Sequence, residues 1–202
     1  MADPQVQFII STAVLLFLVM DPLGNLPVFV SILRHFSDAD YRRIVFRESL
    51  SALGILLVFM FFGDKILSLL HISTISLGIA GGIILFMIAI KMVFGTHSQT
   101  EASLKEPLLV PLTIPLFAGP STLTVIILVR STPGATLLGC LAALFITWVI
   151  SAIILVSGRQ LEKVLGEKIL GAMESLMGFL LTVVAVEMLI QGIKEAFPMM
   201  VN

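Results

Sequence analysis

Charged residues are scarce in this sequence. Only 12% of its 202 residues are Asp, Glu, Lys or Arg, about half the share that is typical of a soluble domain. The net charge of −1 gives no basic surface for nucleic acid. Hydrophobic residues make up 58% of the chain and its mean hydropathy is +1.11. We therefore predict a polytopic membrane protein whose main partner is the lipid bilayer, without a nucleic-acid partner.

Residues that bind metals or form disulfides are also few. Cys140 is the only cysteine, so an intramolecular disulfide is excluded, and its apolar surroundings predict a small packed side chain. The three histidines lie far apart, without the spacing of metal ligands. We predict no metal site and no cofactor. Because the N-terminus lacks a cationic region, the first apolar run is predicted to be a retained span rather than a signal peptide.

Six apolar segments approach or exceed the roughly 20 residues that cross a bilayer as a helix. They are Val6–Leu33, Ser49–Leu70, Ile75–Phe94, Leu108–Val129, Ala135–Ser157 and Ala172–Ala196. With the N-terminus outside, nine of the 12 basic residues fall on the inner side of this topology. The positive-inside rule then predicts that both termini lie outside the cell membrane.

Two of these segments are interrupted. Met20–Pro27 (MDPLGNLP) breaks the first, and Phe117–Pro120 (FAGP) breaks the fourth. Proline inside a helix costs about 3 kcal/mol and pushes the preceding residue out of the α region. We expect the first half-helix to end near Met20 and the next to restart with Pro27 in its first turn. Lipid cannot satisfy a broken backbone, so both breaks should be buried in protein or line a wet cavity.

The chain also contains an internal repeat. Three pairs of features match at offsets of 93, 95 and 96 residues, namely Pro22–Pro27 with Pro115–Pro120, Gly63 with Gly158, and Gly82 with Gly178. Each copy holds three spans, and because three is odd, the second copy must cross the membrane in the opposite sense.

The predicted fold is therefore an all-α polytopic membrane protein with six transmembrane helices in two inverted three-helix repeats, the first and fourth helices being broken. The repeats are residues 1–95 and residues 108–202, joined by a cytoplasmic loop at residues 96–107. Many secondary transporters are built in this way.

The two facing breaks predict a ligand site. Half-helix N-termini attract a carboxylate, and Asp21 can hold a cation, either a coupling ion or an ammonium group. The predicted substrate-binding residues are Asp21, Pro22, Gly24, Asn25, Gly119, Pro120, Ser121 and Thr122. Asp21 and Glu187 are candidates for ion or proton coupling. Each also has a structural interpretation, Asp21 as a helix cap and Glu187 as an interior hydrogen-bonding group.

Three groups of sequence motifs together are specific enough to indicate a protein family. They are Met20–Pro27, Gly81–Phe86 with Ala89–Met92, and Val110–Pro120. In these residues, and over essentially its whole length, the chain resembles the MarC family of small integral membrane proteins, also described as a neutral amino acid transporter family, and is closest to its YhgN-like branch. The resemblance implies six spans in a bacterial inner membrane and transport of small neutral amino acids such as glycine or alanine.

The predicted function is secondary transport of a small zwitterionic solute by alternating access, coupled to H⁺ or Na⁺, and not an enzymatic activity. One alternative is a non-transporting membrane assembly or stress protein. Another is an intramembrane enzyme, although Ser121 and Lys91 lie in different spans without the context of a Ser–Lys dyad. Lys91 lies near a span end, where snorkelling is expected. The spacing of Gly78 and Gly82 indicates close helix packing within the monomer and leaves a homo-oligomer open.

Overall fold

The computed structural model describes residues 3–94, 119–132 and 134–197, most of which are helical. The described residues form seven helices, α1 (Pro4–Met20), α2 (Pro22–Ile32), α3 (Asp38–Leu69), α4 (Thr74–Val93), α5 (Pro120–Ser131), α6 (Leu137–Val156) and α7 (Gly158–Ala196). Within α7, Gly166 leaves the helical conformation, with φ 74° and ψ 160°, and kinks the helix. The described residues contain no strand, so the prediction of an all-helical protein is confirmed for them.

Five helical stretches of the described chain are long and apolar enough to cross a bilayer. They are Pro4–Val30, Asp38–Leu69, Thr74–Val93, Leu137–Val156 and Lys168–Ala196, and they coincide with five of the six predicted segments. The apolar helix Ser121–Ser131 is shorter and matches the second half of the predicted fourth span. The first half of that span and the predicted loop at residues 96–107 lie outside the described residues.

The helix that contains the second predicted span begins well before that span, because α3 already starts at Asp38. Its first turns are polar, but Ser37 caps the helix by accepting a hydrogen bond from the Asp40 amide at 3.1 Å. Asp38 and Asp40 both lie in the first turn, where the helix dipole favours negative charge. Hydropathy detects only the part of a helix that lies in lipid. The Ser37 cap and the acidic first turn extend α3 beyond that part.

The break in the first span is shorter than predicted. α2 starts directly at Pro22, and Pro27 lies inside it rather than in its first turn. Asp21 alone leaves the helical conformation, with φ 43° and ψ 61°. Its amide still donates to the Phe17 carbonyl at 3.0 Å, and its carbonyl accepts from the Asn25 amide at 3.1 Å. The prediction for Pro27 was wrong because backbone hydrogen bonding resumes immediately after one left-handed residue.

Glycines let α4 approach α5 and α7 closely. A Cβ on Gly81 would lie 2.5 Å from Cγ2 of Thr124 in α5, and one on Gly82 would lie 3.2 Å from the Ala185 carbonyl oxygen in α7. Both glycines are buried. The predicted close packing of this small-residue stretch within the monomer is confirmed, and it determines the position of α4 beside the two helices with which it forms the site.

Arg159, in the first turn of α7, connects the two halves of the chain. Its guanidinium donates to the carbonyl oxygens of Leu33 and Phe36, at 2.8 Å for Phe36, and pairs with Asp38. Its Cζ also lies 4.8 Å from the centre of the Tyr41 ring. One side chain therefore satisfies carbonyl groups where α2 ends, a role that a planar guanidinium with several donors suits better than a lysine.

Replacing Arg159 with Gln is expected to lower the free energy of unfolding by about 3 kcal/mol, since several hydrogen bonds from a charged donor are lost. For a protein of this size that corresponds to a fall in Tm of about 6–12 °C, measurable by thermal unfolding in detergent. The matched control is Arg43→Gln, because Arg43 is exposed on α3, and its Tm should change by less than about 2 °C. Equal shifts in the two variants would contradict this role.

Candidate functional site

The side chain of Asp21 is fixed by the break that it occupies. Its Oδ1 accepts a hydrogen bond from the Gly24 amide at 3.0 Å, which caps α2. In return, Asn25 Nδ2 donates to the Met20 carbonyl at the end of α1, also at 3.0 Å. The capping interpretation of Asp21 is therefore confirmed. Asp21 is only 6% exposed, and its Oδ2 accepts no hydrogen bond from the residues that the structure describes, so one oxygen remains available.

The second break has a different electrostatic character. α5 begins at Pro120 behind Gly119, which is extended and provides no side-chain cap. The first N–H groups of a helix have no partner within it, and they carry the positive end of its dipole. Ser121 and Thr122 in this turn are 3% and 1% exposed. The start of α5 is thus a buried positive pole, whereas the start of α2 is neutralised by Asp21.

Both breaks line one small cavity of about 160 Å³. Its polar lining comes from α2, α5 and α7 and from the two residues at the breaks, namely Asp21, Gly24, Asn25, Gly119, Ser121, Thr122 and Glu174. Its apolar lining comes from Val19, Val28, Leu85, Ile88, Met92 and Leu181. Two stretches almost a hundred residues apart in sequence are therefore adjacent in space, which is the juxtaposition that the repeat predicts.

Six of the eight predicted binding residues line this cavity. Pro22 is buried but is not part of the lining. Of Pro120 the structure describes only the backbone, as the first residue of α5. Pro22 therefore ends one helix and starts the next without lining the cavity, and the polar groups that follow it face the cavity.

The structure does not bring Glu187 to the cavity. Glu187 lies on an exposed face of α7 and accepts a hydrogen bond from Gln191 Nε2 at 3.1 Å. The carboxylate that α7 does contribute is Glu174, which sequence reasoning missed. The signal that could have identified Glu174 is its position as an acidic residue inside the predicted sixth span. Glu187 has the same property, and only helix packing shows which of the two faces inward.

Gly24 and Gly178 make room for Met92 of α4. A Cβ on Gly24 would clash with the Asp21 carboxylate and with the Met92 methyl group, and one on Gly178 would lie 2.7 Å from the Met92 Cβ. The Met92 side chain therefore fits between two helices that both have a glycine at the contact. Met92 also lines the cavity, so these glycines determine its shape as well as the packing.

The lining defines what the cavity can bind. Asp21 and Glu174 favour a cationic group, while the amides and hydroxyls at the start of α5 favour an anionic one. Within the described residues no group of three or more His, Cys, Asp or Glu side chains could hold a metal ion. A solute carrying both charges complements both parts of the cavity.

Apolar helices of membrane-spanning length around a small buried polar cavity define a multi-span integral membrane protein. The sequence profile of the MarC family integral membrane proteins matches residues 6–197. The chain therefore belongs to the MarC family.

Three relatives illustrate the similarity. The UPF0056 inner membrane protein YhgN of Escherichia coli K12 is 44% identical over 189 residues, covering 92% of this chain and 96% of its own. A UPF0056 membrane protein of Buchnera aphidicola from Acyrthosiphon pisum is 43% identical over 191 residues, covering 94% and 97%. One from Chlamydia pneumoniae is 30% identical over 192 residues, covering 94% and 95%. No solved structure matches the chain.

Proposed function

We propose that this protein is a secondary transporter of small neutral amino acids such as glycine or alanine. The observation that carries the proposal is the cavity itself, which has a buried carboxylate at one helix break and an uncapped helix N-terminus at the other. In this proposal the ammonium group of the solute binds at Asp21, and its carboxylate binds at the start of α5. The protein binds and releases an unchanged solute and is not an enzyme.

The size of the cavity favours a small solute. Pockets for drug-sized ligands usually have volumes of roughly 300–1,000 Å³, whereas this one has about 160 Å³. The side chains of Leu85, Ile88 and Leu181 form part of its wall and give a substrate side chain no polar partner. An amino acid with a short apolar side chain, or with none, fits both the small volume of the cavity and its apolar wall.

The proposed architecture is two inverted three-span repeats, residues 1–95 and 108–202. The repeated sequence features support it, as does the placement of Asn25 and Ser121, from corresponding breaks, in the same cavity. An inverted repeat provides two related conformations, one open to each side of the membrane, which is what alternating access requires. Coupling to a gradient of H⁺ or Na⁺ would drive accumulation of the solute.

The proposed location is a bacterial inner membrane with both termini in the periplasm. The printed name of the Escherichia coli relative describes an inner membrane protein. The excess of basic residues on one side of the predicted topology supports the orientation. Cysteines introduced near either terminus should then react with a membrane-impermeant maleimide added to intact spheroplasts.

Uptake by proteoliposomes tests the function. We expect reconstituted protein to accumulate radiolabelled glycine or alanine when an inward gradient of H⁺ or Na⁺ is applied. Two compounds that each lack one charge, ethylamine and propionate, serve as controls, and neither should compete with alanine at the same concentration. If no labelled amino acid is accumulated under either gradient and none binds to the purified protein, the proposal is wrong.

A further inference from the structure

Glu187 occupies an unusual position on α7. It lies seven residues before Lys194, roughly 10 Å along the helix, within the apolar stretch Lys168–Ala196. Its side chain is exposed on the outside of the helix bundle and contacts Gln191 of the same helix. A carboxylate that faces lipid at this depth is costly, and Glu is too short to reach the interface as Lys does.

Glu187 is part of a regular exposed stripe. Leu176, Leu180, Val183, Glu187, Ile190 and Lys194 are all exposed, and they follow one another at alternating intervals of four and three residues. That spacing aligns them on one side of a helix, as in the contact seam of a two-stranded coiled coil. A single polar residue among apolar ones in such a seam commonly fixes the register and the number of strands.

Glu187 on the stripe and Gln191 beside it can together complement a second copy of the same pair. The Gln191 amide has two N–H donors, of which one is used by the Glu187 of its own chain. Across a two-fold axis, the second donor of each Gln191 would meet the Glu187 of the other chain, so both contacts form at once. Lipid offers neither group a partner, and membrane helices commonly associate through such hydrogen bonds.

We propose that the protein is a homodimer in the membrane, and that two copies of α7 meet along this stripe with Glu187 and Gln191 at the centre. The parallel arrangement follows because both copies have the same orientation in the bilayer. This contact lies away from the cavity, so the inference does not depend on the transported solute.

Cysteine cross-linking in native membranes tests the contact. In a Cys140→Ala background, Val183→Cys should form a disulfide-linked dimer after mild oxidation, because Val183 lies in the middle of the stripe. Ile153→Cys is the matched control, since Ile153 is exposed on α6 but is not on the stripe. Absence of the dimer for Val183→Cys, or an equal yield for Ile153→Cys, would overturn the proposal.

Substitutions of Glu187 test the hydrogen bonds. Each interhelical hydrogen bond changes an association constant by about threefold on average, so Glu187→Leu should raise the dimer dissociation constant in liposomes about eightfold or more. Glu187→Gln keeps a hydrogen-bonding group and should stay within about twofold of wild type. Counting subunits by photobleaching over a series of lipid dilutions gives both values. If Glu187→Leu dimerises as well as wild type, Glu187 faces lipid and the proposal is wrong.

Discussion

Asp21→Asn is expected to lower the affinity for glycine or alanine by about 150-fold. In the proposed complex the Asp21 carboxylate pairs with the ammonium group inside a buried cavity, and removing one partner of such a pair costs about 3 kcal/mol. At 25 °C this energy corresponds to about a 150-fold change in Kd. Asn is nearly isosteric with Asp, so the size of the cavity should not change. The measurement is binding of labelled alanine to the purified variant.

The fold should survive this substitution. Asn is as good a helix cap as Asp, and it is among the residues that tolerate the left-handed conformation found at this position. Its side-chain oxygen can still accept the hydrogen bond from the Gly24 amide. We therefore expect the Tm of Asp21→Asn to stay within about 3 °C of wild type, so that a loss of binding reports on the charge and not on unfolding.

Asp64→Asn provides the matched control for charge. Asp64 is exposed near the end of α3 and does not line the cavity, so the same chemical change there should leave alanine binding unaltered. An Asp21→Asn protein that binds and transports alanine as well as wild type would exclude a role for this carboxylate in the site. The cavity would then need another partner for the ammonium group, and Glu174 would be the next residue to test.

Gly24→Ala is the second substitution with a large expected effect. The added Cβ would clash with the Asp21 carboxylate, which is held by the cap, and with the Met92 methyl group. Overpacking of this kind costs about 1–3 kcal/mol. The displaced carboxylate should also weaken alanine binding by at least about tenfold, which corresponds to about 1.4 kcal/mol. Thermal unfolding and ligand binding measure the two effects separately.

Gly54→Ala is the control for this substitution. Gly54 also lies within a helix, but a Cβ there would meet no atom within 4 Å. Replacing a helical glycine by alanine in open space is favourable by up to about 1 kcal/mol, so Gly54→Ala should unfold at the wild-type temperature or slightly above. If Gly24→Ala is also stabilised and binds alanine normally, the contact between Gly24 and Asp21 does not shape the site.

Local sequence signals predicted the helix break well because they act over a few residues. The proline at position 22 makes a helix end before it, and the polar residues around it provide the capping groups. The wrong prediction that the helix restarts near Pro27 also arises because these signals are local. Proline is tolerated in the first turn of a helix, and two prolines five residues apart offer two such starting points. The Gly24 amide donates a hydrogen bond to the Asp21 side chain. This cap favours the helix that starts at Pro22, the first of the two prolines.

The partners across the cavity were only partly predictable. The internal repeat indicated that the two helix breaks would meet, since corresponding segments of an inverted repeat face one common axis. It gave no information on Glu174, whose counterpart in the first repeat is not acidic. Whether a residue on a long apolar helix faces the interior depends on the rotation of that helix, and the contacts of α7 with α2 and α4 set this rotation.

The sequence by itself determined the membrane environment, the all-helical class of the described residues and the position at which the first helix stops. These properties follow from hydropathy and from the backbone chemistry of proline, glycine and aspartate, which act on neighbouring residues. The tertiary structure alone decided that Glu174 faces the cavity and Glu187 faces outward. The two acids are 13 residues apart on one helix, and close contacts such as that between Gly178 and Met92 orient that helix in a way that no local signal encodes.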